Sequence, residues 1–255
     1  MTDDVLARLA RSEFPRGAAY DTQWVVANQM GPNALWLVEA LTERVRLASG
    51  MRVLDLGCGK AMTSVFLARE FDVRVVASDW WIGATDNWQR IIEAGETQRI
   101  VPVHAEAHSL PYADGFFDAI VSVDAYHYFG TDDMYLDRIV RLLRPGGQIG
   151  VVVPGLREEP ARMPPEQLRD VWRWDFGTFH SPEWWEHHWA KTGKVVELRT
   201  EWLSGGNELW RLWEETTLAW SIANGETPNE RDGALLRADT EHLLGFTVIT
   251  ATRPC

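Results

Sequence analysis

The sequence has few cysteines, no long apolar run and no excess of basic residues. Its two cysteines, at positions 58 and 255 of 255, match neither a disulfide framework nor a metal-binding spacing, so we expect no metal. No run of about 18 apolar residues occurs, and residues 1–16 are charged, so we expect a soluble, cytoplasmic chain without a membrane partner. The net charge of −12 argues against nucleic acid as a partner, because such binding needs a basic face.

The chain also lacks the third glycine of a dinucleotide-binding turn. Residues 51–56 are typical of a buried parallel strand; Gly57, Cys58 and Gly59 follow, and helical periodicity begins at residue 61. A G-x-G-x-x-G fingerprint would need glycine where the chain has Met62. The carboxylate of Asp55 would repel a pyrophosphate but suits an ammonium group. The pattern therefore favours S-adenosylmethionine (SAM), a nucleoside joined to an amino acid, over a nicotinamide dinucleotide.

A second strand supplies another acidic residue. Residues 73–78 form an apolar run that ends at Asp79, about 20 residues past the glycines. An acid at this place, at the carboxyl end of the second strand, is positioned to accept hydrogen bonds from both hydroxyls of a ribose. The sequence therefore predicts that Asp79 binds the ribose of the cofactor.

With these motifs the chain resembles the class I SAM-dependent methyltransferases of the small-molecule type, a group related to the ubiquinone/menaquinone and sterol methyltransferases. The resemblance rests on motifs over residues 20–155, including the L-R-P-G-G turn at 143–147, and beyond them only on the order of elements. It implies an α/β fold with a Rossmann-like, doubly wound, seven-stranded and mostly parallel sheet, an antiparallel last strand, and helical, Trp-rich cap elements.

The resemblance also implies one domain over residues 1–255, which divides into four parts. We expect an N-terminal helical segment over the cofactor site at 1–50 and a SAM-binding core at 51–153. Substrate-side insertions and the remaining sheet follow at 154–245, and the last strand occupies 246–255.

Several cofactor-binding residues follow from the resemblance. Tyr20 corresponds to a tyrosine that folds over the SAM site, although packing on the outer core is an equal alternative. Trp80 corresponds to the residue that packs on the adenine face, and Trp81 is then expected to point away into packing. Glu106 and Ala107 correspond to the turn that binds the adenine edge through a side-chain acceptor and a backbone N–H.

The segment after the fourth strand corresponds to one that runs past the methionine part of SAM. Asp124 is expected there as a cofactor-binding residue, and His127 corresponds to a histidine that faces the acceptor. His127 is our candidate base, with Tyr126 or Asp124 as second choices; the alternative is that His127 only caps the next helix. Tyr126 and Tyr128 are weighed equally between the site and packing.

Tryptophan is abundant, with 14 residues, nine of them after position 150. We expect Trp172, Trp174 and Trp213 to line an aromatic pocket over the acceptor, which would favour a cationic or aromatic molecule. The alternative is that most of these indoles form core under a thin cap.

The expected function is transfer of a methyl group from SAM to a small-molecule acceptor, an amine or an aromatic hydroxyl. The reaction is an in-line displacement in which the protein supplies alignment and desolvation, so no catalytic triad is expected. The alternative from another class is a non-catalytic SAM-binding sensor or scaffold. The acceptor and the oligomeric state are left open by the sequence.

Overall fold

Seven strands form one sheet in the computed structural model, which describes residues 5–227 and 231–255. The strands are β1 (Arg52–Leu56), β2 (Arg74–Asp79), β3 (Ile100–His104), β4 (Phe117–Val123), β5 (Leu143–Leu156), β6 (Val196–Trp202) and β7 (Leu244–Thr252). Their order is β3-β2-β1-β4-β5-β7-β6, and only β7 runs antiparallel to its neighbours. This arrangement confirms the predicted α/β fold. The strand order reverses between β1 and β4, where open α/β sheets bind ligands at the carboxyl ends of their strands.

Helices cover both faces of the sheet. They are α1 (Thr22–Ala27), α2 (Ala34–Thr42), α3 (Met62–Phe71), α4 (Ala84–Glu93), α5 (Tyr135–Val140), α6 (Pro182–Ala190), α7 (Gly206–Ala223) and α8 (Arg231–Ala238). Short 3₁₀ helices lie at Ala7–Leu9, Gly17–Ala19, Tyr126–Tyr128, Glu166–Leu168 and Trp174–Thr178. Within the described ranges, no helix is both long enough and apolar enough to span a bilayer.

The core is divided into two clusters because successive strand residues point to opposite faces. Val53 belongs to the cluster that contains α2 and α3, whereas its neighbour Leu54 belongs to the cluster that contains α5 and α6. Each fully buried side chain of this type contributes about 1.5–3 kcal/mol. Burial on both faces explains why the central strands β1 and β4 are mostly apolar, whereas the edge strand β6 is exposed and carries polar residues.

Polar residues at the helix starts fix where the helices begin. The Asn33 side chain accepts a hydrogen bond from the Leu35 N–H (3.0 Å) at the start of α2. The Ser181 hydroxyl accepts one from the Trp184 N–H (3.2 Å) at the start of α6, where Pro182 occupies the first helical position.

The carboxyl-terminal third departs most from expectation. Helix α8 is not indicated by the sequence patterns used above, and β5 continues to Leu156, past the expected core boundary at 153. The buried Asp239 carboxylate accepts hydrogen bonds from the backbone N–H groups of Leu243 and Leu244 and so holds the turn into β7. Residues 1–4 of the expected N-terminal helical segment lie outside the described residues. The division into four parts stays a prediction.

Candidate active site

The glycine turn after β1 brings its backbone against the opposite wall of a cavity. Gly57 and Gly59 have positive φ angles of 73° and 52°, which glycine adopts without strain. A Cβ added at Gly57 would overlap the Cβ of Ala125, and one at Gly59 would lie 2.9 Å from the Sδ of Met30. A side chain at either position would therefore collide with the facing residues, so only glycine allows the turn to approach them this closely.

This glycine-turn cavity has a volume of about 300 Å³ and lies at the carboxyl ends of β1, β2 and β4. Its size is within the range of small-molecule sites. The cavity collects eight of the ten predicted cofactor residues, namely Gly57, Cys58, Gly59, Asp79, Trp80, Glu106, Ala107 and Asp124.

Asp79 links the glycine turn to the segment after β2. One carboxylate oxygen accepts a hydrogen bond from the Gly59 N–H (2.8 Å). The other accepts from the N–H groups of Trp81 (2.7 Å) and Ile82 (2.8 Å). A carboxylate has about four acceptor positions, so roughly one is left for a ligand hydroxyl. Asp79 is therefore both a structural brace of the turn and a hydrogen-bond acceptor on the cavity wall.

A second cavity of about 280 Å³ adjoins the first. The two share Met30, Gly31, Asp124 and Tyr128 as lining residues. A Cβ added at Gly31 would overlap Asp124 Oδ2, so the glycine permits close approach where the cavities meet. The remaining wall of this second cavity is formed by aromatic rings and by one face of α7. Those residues include His127, Pro154, Phe176, Phe179, Trp210, Glu214, Thr217, Leu218 and Ser221.

Glu214 is an acid of the second cavity whose pKa is shifted. Burial raises the pKa of its carboxyl to about 8; the nearby Asp232 acts in the same direction, and Arg237 acts against both. A carboxyl group with this pKa is mostly protonated at neutral pH. The second cavity thus contains a titratable group beside the glycine-turn cavity.

Comparison with known proteins identifies the part of the chain that forms the glycine-turn cavity. Residues 53–147 match the family described as "Methyltransferase domain". These residues are a methyltransferase domain. The match confirms the resemblance to class I SAM-dependent methyltransferases that the motifs indicate.

Relatives of the methyltransferase domain include curated enzymes. A demethylmenaquinone methyltransferase of Clavibacter sepedonicus is 35% identical over 132 residues, 52% of this chain and 52% of that protein. The 27-O-demethylrifamycin SV methyltransferase of Amycolatopsis mediterranei (strain S699) is 25% identical over 231 residues, 86% of this chain and 83% of that protein. The chain spans about half the length of the first curated relatives it matches.

A solved structure shares the fold over nearly the whole chain. Phosphoethanolamine N-methyltransferase 2 of Haemonchus contortus, in complex with S-adenosyl-L-methionine, matches with a TM-score of 0.71 and 17% identity. The match covers 98% of this chain and 60% of that one. At this identity the likeness shows the fold alone.

Both tryptophans after Asp79 line the glycine-turn cavity of the methyltransferase domain. Trp80 is 58% exposed, and its ring stacks on His104 with centroids 5.0 Å apart. Trp81 is 65% exposed and meets the edge of Tyr128 at 5.1 Å, so the expectation that it packs away from the site is corrected. The chain makes a loop here rather than continuing β2, so the two side chains do not alternate across a sheet.

Glu106 is oriented by a neighbouring histidine at the far wall of the same cavity. Its carboxylate accepts hydrogen bonds from the backbone N–H of His108 (2.9 Å) and contacts the imidazole at 2.7 Å. These contacts lower the pKa of Glu106, although its partial burial opposes them. The group is thus an ionised acceptor, as a contact to an exocyclic amine requires.

Two of the predicted cofactor residues lie outside the cavity lining. The Tyr20 ring packs against Trp24 and Phe66, and its hydroxyl donates to Glu70 (3.2 Å), so the packing alternative is the one observed. The segment that covers the glycine turn lies further along the chain, around Met30 and Gly31. A breaker-rich loop gives no sequence signal for which of its residues reaches the site.

Asp55 is buried beneath the start of α3 and does not line the cavity. One carboxylate oxygen accepts hydrogen bonds from the hydroxyls of Thr63 and Ser64, both at 2.6 Å. Burial raises the pKa of Asp55 to about 6, and the two hydroxyls act against the rise. The expected contact of this carboxylate with the ligand is therefore corrected: Asp55 holds the helix that follows the turn.

The side chains of residues 126–128 point in three different directions, because these residues form a 3₁₀ helix with three residues per turn. His127 is buried on the wall of the second cavity, with its ring 5.6 Å from that of Phe179. Tyr128 lines both cavities. Tyr126 points instead into the core against Trp185 and Trp189, so its expected role as an alternative base is corrected.

The second cavity is not lined by the three tryptophans that the sequence predicts for an aromatic pocket. Trp174 is 88% exposed, Trp172 packs on Phe176, and neither lines a cavity described above. Trp213 is fully buried and supports the cavity junction from behind by donating its indole N–H to the Gly31 carbonyl (2.8 Å). Trp210 is the indole that lines the second cavity. These three expectations are corrected because exposure and packing, not tryptophan content, decide which rings reach the cavity.

Sequence reasoning missed the cavity face of α7. Positions 210, 214, 217, 218 and 221 recur at helical spacing and all line the second cavity. The same spacing was readable in the sequence, and it places Glu214 on the face of Trp210. What the sequence does not show is that this face borders a cavity rather than solid core.

Proposed function

We propose that the protein is a SAM-dependent methyltransferase that acts on a small-molecule acceptor. The observation behind this proposal is the junction of the two cavities at Gly31, Asp124 and Tyr128. One cavity has the glycine turn and the Asp79 carboxylate expected of a nucleoside site, and the other is a second cavity next to it, lined by both acidic and aromatic side chains. Two adjoining chambers of this kind suit a donor and an acceptor that meet at their junction.

The residues present fit SAM on structural grounds. The glycine turn lines the cavity with backbone that carries no side chain at Gly57 and Gly59, and Asp79 keeps about one acceptor position for a ribose hydroxyl. Trp80 offers an exposed indole face for the adenine, and the Glu106 carboxylate and the Ala107 backbone line the same cavity. Asp124 would receive the amino-acid part, since it borders both cavities.

When bound, SAM supplies an electrophilic methyl group on a sulfonium. The chain's own contribution is to orient the acceptor and to exclude water from the junction, as the buried rings of Phe176 and Phe179 do. His127 is proposed to take the acceptor's proton, because its buried imidazole lines the acceptor chamber beside the junction residue Tyr128. The curated relatives are named as methyltransferases of small molecules, which supports an acceptor of this class.

The test is a transfer assay with methyl-labelled SAM and a pool of amines, phenols and carboxylates. We expect labelled product and S-adenosylhomocysteine (SAH) from the wild type, with product formation lowered about 10²-fold or more in His127→Ala. His187→Ala, an exposed histidine of α6, serves as the matched control and should leave the rate unchanged. Tight SAM binding without labelled product from any acceptor would favour the non-catalytic sensor or scaffold instead. Equal rates in His127→Ala and the wild type would remove His127 from the proposal.

A further inference from the structure

Carboxylates are concentrated in the wall of the second cavity. Glu214 of α7 and Asp232 of α8 line it together, and Asp124 borders it at the junction with the glycine-turn cavity. Asp124 and Asp232, joined by Glu214 once it is ionised, would repel an anionic acceptor. The chemistry of the wall therefore selects for positive charge.

Several aromatic side chains also line this cavity. The rings of Phe176 and Phe179 lie 5.2 Å apart, and Phe179 lies 6.3 Å from Trp210 and 5.6 Å from His127. Aromatic faces attract an ammonium group and also pack on the apolar part of a small molecule. Rings and carboxylates together form the environment that proteins use to bind organic cations.

Trp210 places an indole in the wall of the same cavity. This residue is 2% exposed, and its indole nitrogen is shielded from solvent. Trp210 therefore offers a ligand its ring and not its N–H group.

We infer that Glu214, with Asp232 on the adjacent helix, recognises the ammonium group of the acceptor, so that the acceptor is a small amine. This inference rests on the proposed function, because it treats the second cavity as the acceptor site. It adds the substrate class and names Glu214 as the residue that determines it. The aromatic rings cover the apolar part of the amine.

The charges around Glu214 determine how binding depends on pH. Asp232 and Arg237 face it from α8, Arg211 and Glu215 lie beside it on α7, and Asp124 and His127 lie across the cavity. Because burial and Asp232 raise the pKa of Glu214 to about 8, its carboxyl is mostly protonated at neutral pH. A cation binds the ionised form, so amine binding releases a proton and tightens as the pH rises towards this pKa.

The test compares two isosteric probes on protein saturated with SAH, by calorimetry at about pH 8.5. Phenethylamine carries the ammonium group, and 2-phenylethanol replaces it with a neutral hydroxyl. We expect the wild type to bind the amine at least about tenfold more tightly than the alcohol, and Glu214→Gln to lose that preference while binding the alcohol unchanged. Glu215→Gln, on the exposed side of the same helix, should keep the preference.

Separate readouts distinguish failure of this inference from failure of the proposed function. If SAH does not bind the wild type, the proposed function itself fails. If SAH binds but the two probes bind equally, or the preference survives in Glu214→Gln, the recognition role of Glu214 is refuted. Asp232→Asn provides a second variant should Glu214→Gln not fold, and a lowered preference for the amine is expected there too.

Discussion

Replacing Glu214 by glutamine should change stability in a way that depends on pH. Relative to the wild type, the free energy of unfolding of the variant should increase as the pH rises. The folded-state pKa of about 8 lies above the ordinary value of 4.5, mainly because the side chain is buried. The folded chain therefore holds this proton more tightly than the unfolded chain. Stability that depends on the protonated carboxyl is present at acidic pH and is lost as the pH rises from 4.5 towards 8. Glutamine has a similar shape and does not titrate.

The two pKa values determine the size of the effect. The free energy of unfolding of the wild type falls by about 1.4 kcal/mol for each pH unit over which the folded chain holds one more proton than the unfolded chain. Between about pH 5 and about pH 9 this amounts to almost three units, or about 4 kcal/mol. Asp55, whose pKa is raised to about 6 by burial, also loses stability over this range. Its contribution is common to the wild type and the variant, so it cancels in their difference.

The assay is urea unfolding of the wild type, Glu214→Gln and the control Glu215→Gln across this pH range. The free energy of unfolding of Glu214→Gln should rise relative to wild type by about 4 kcal/mol from about pH 5 to about pH 9. Glu215 has an exposed side chain, so its variant should follow the wild type. A difference in the free energy of unfolding that stays constant with pH would show that the folded chain does not raise the pKa of Glu214. That result would refute the reasoning.

Three further predictions concern the glycine-turn cavity and the core. Gly57 has a positive φ of 73°, and a Cβ there would overlap Ala125, so Gly57→Ala should abolish SAH binding and lower the melting temperature. Gly225 has a similar φ of 71° but open space around it, so the control Gly225→Ala should retain SAH binding. Trp80→Ala should weaken SAH binding by about tenfold through loss of stacking, measured by calorimetry; unchanged affinity would show that the indole does not contact adenine. Tyr126→Phe should keep transfer activity and stability, because the Tyr126 hydroxyl is buried without a hydrogen-bond partner in the described parts of the chain. A large loss of rate in this variant would restore Tyr126 as a candidate base.

The sheet and the glycine turn could be predicted because their signals are local. An apolar strand, a glycine turn and an acid at the end of the next strand are contiguous patterns, and they placed Gly57, Gly59 and Asp79 on one cavity. Asp55 shows the limit of such patterns. An acid at a strand end can face a ligand or support the next helix, and the hydroxyls of Thr63 and Ser64 decide for the helix.

The second cavity could not be predicted in the same way because it is assembled from distant segments. His127 follows β4, Phe179 precedes α6, and Trp210 belongs to α7, so only the tertiary fold brings them together. The tryptophan content indicated an aromatic pocket, but of the indoles only that of Trp210, which was not among those predicted, lines the second cavity. Trp213, three positions after Trp210, lies about 60° around the helix from it and packs behind the junction.

Thermal unfolding with SAM, SAH and NAD tests the cofactor assignment most directly. It would be run on the wild type, on Asp79→Ala and on Asp170→Ala, a control at an exposed aspartate outside both cavities. The account predicts that SAM and SAH stabilise the wild type by about 3 kcal/mol at about 100 times the dissociation constant, that NAD does not, and that only Asp79→Ala loses the effect. Stabilisation by NAD alone, by none of the three, or equally in Asp79→Ala would contradict it.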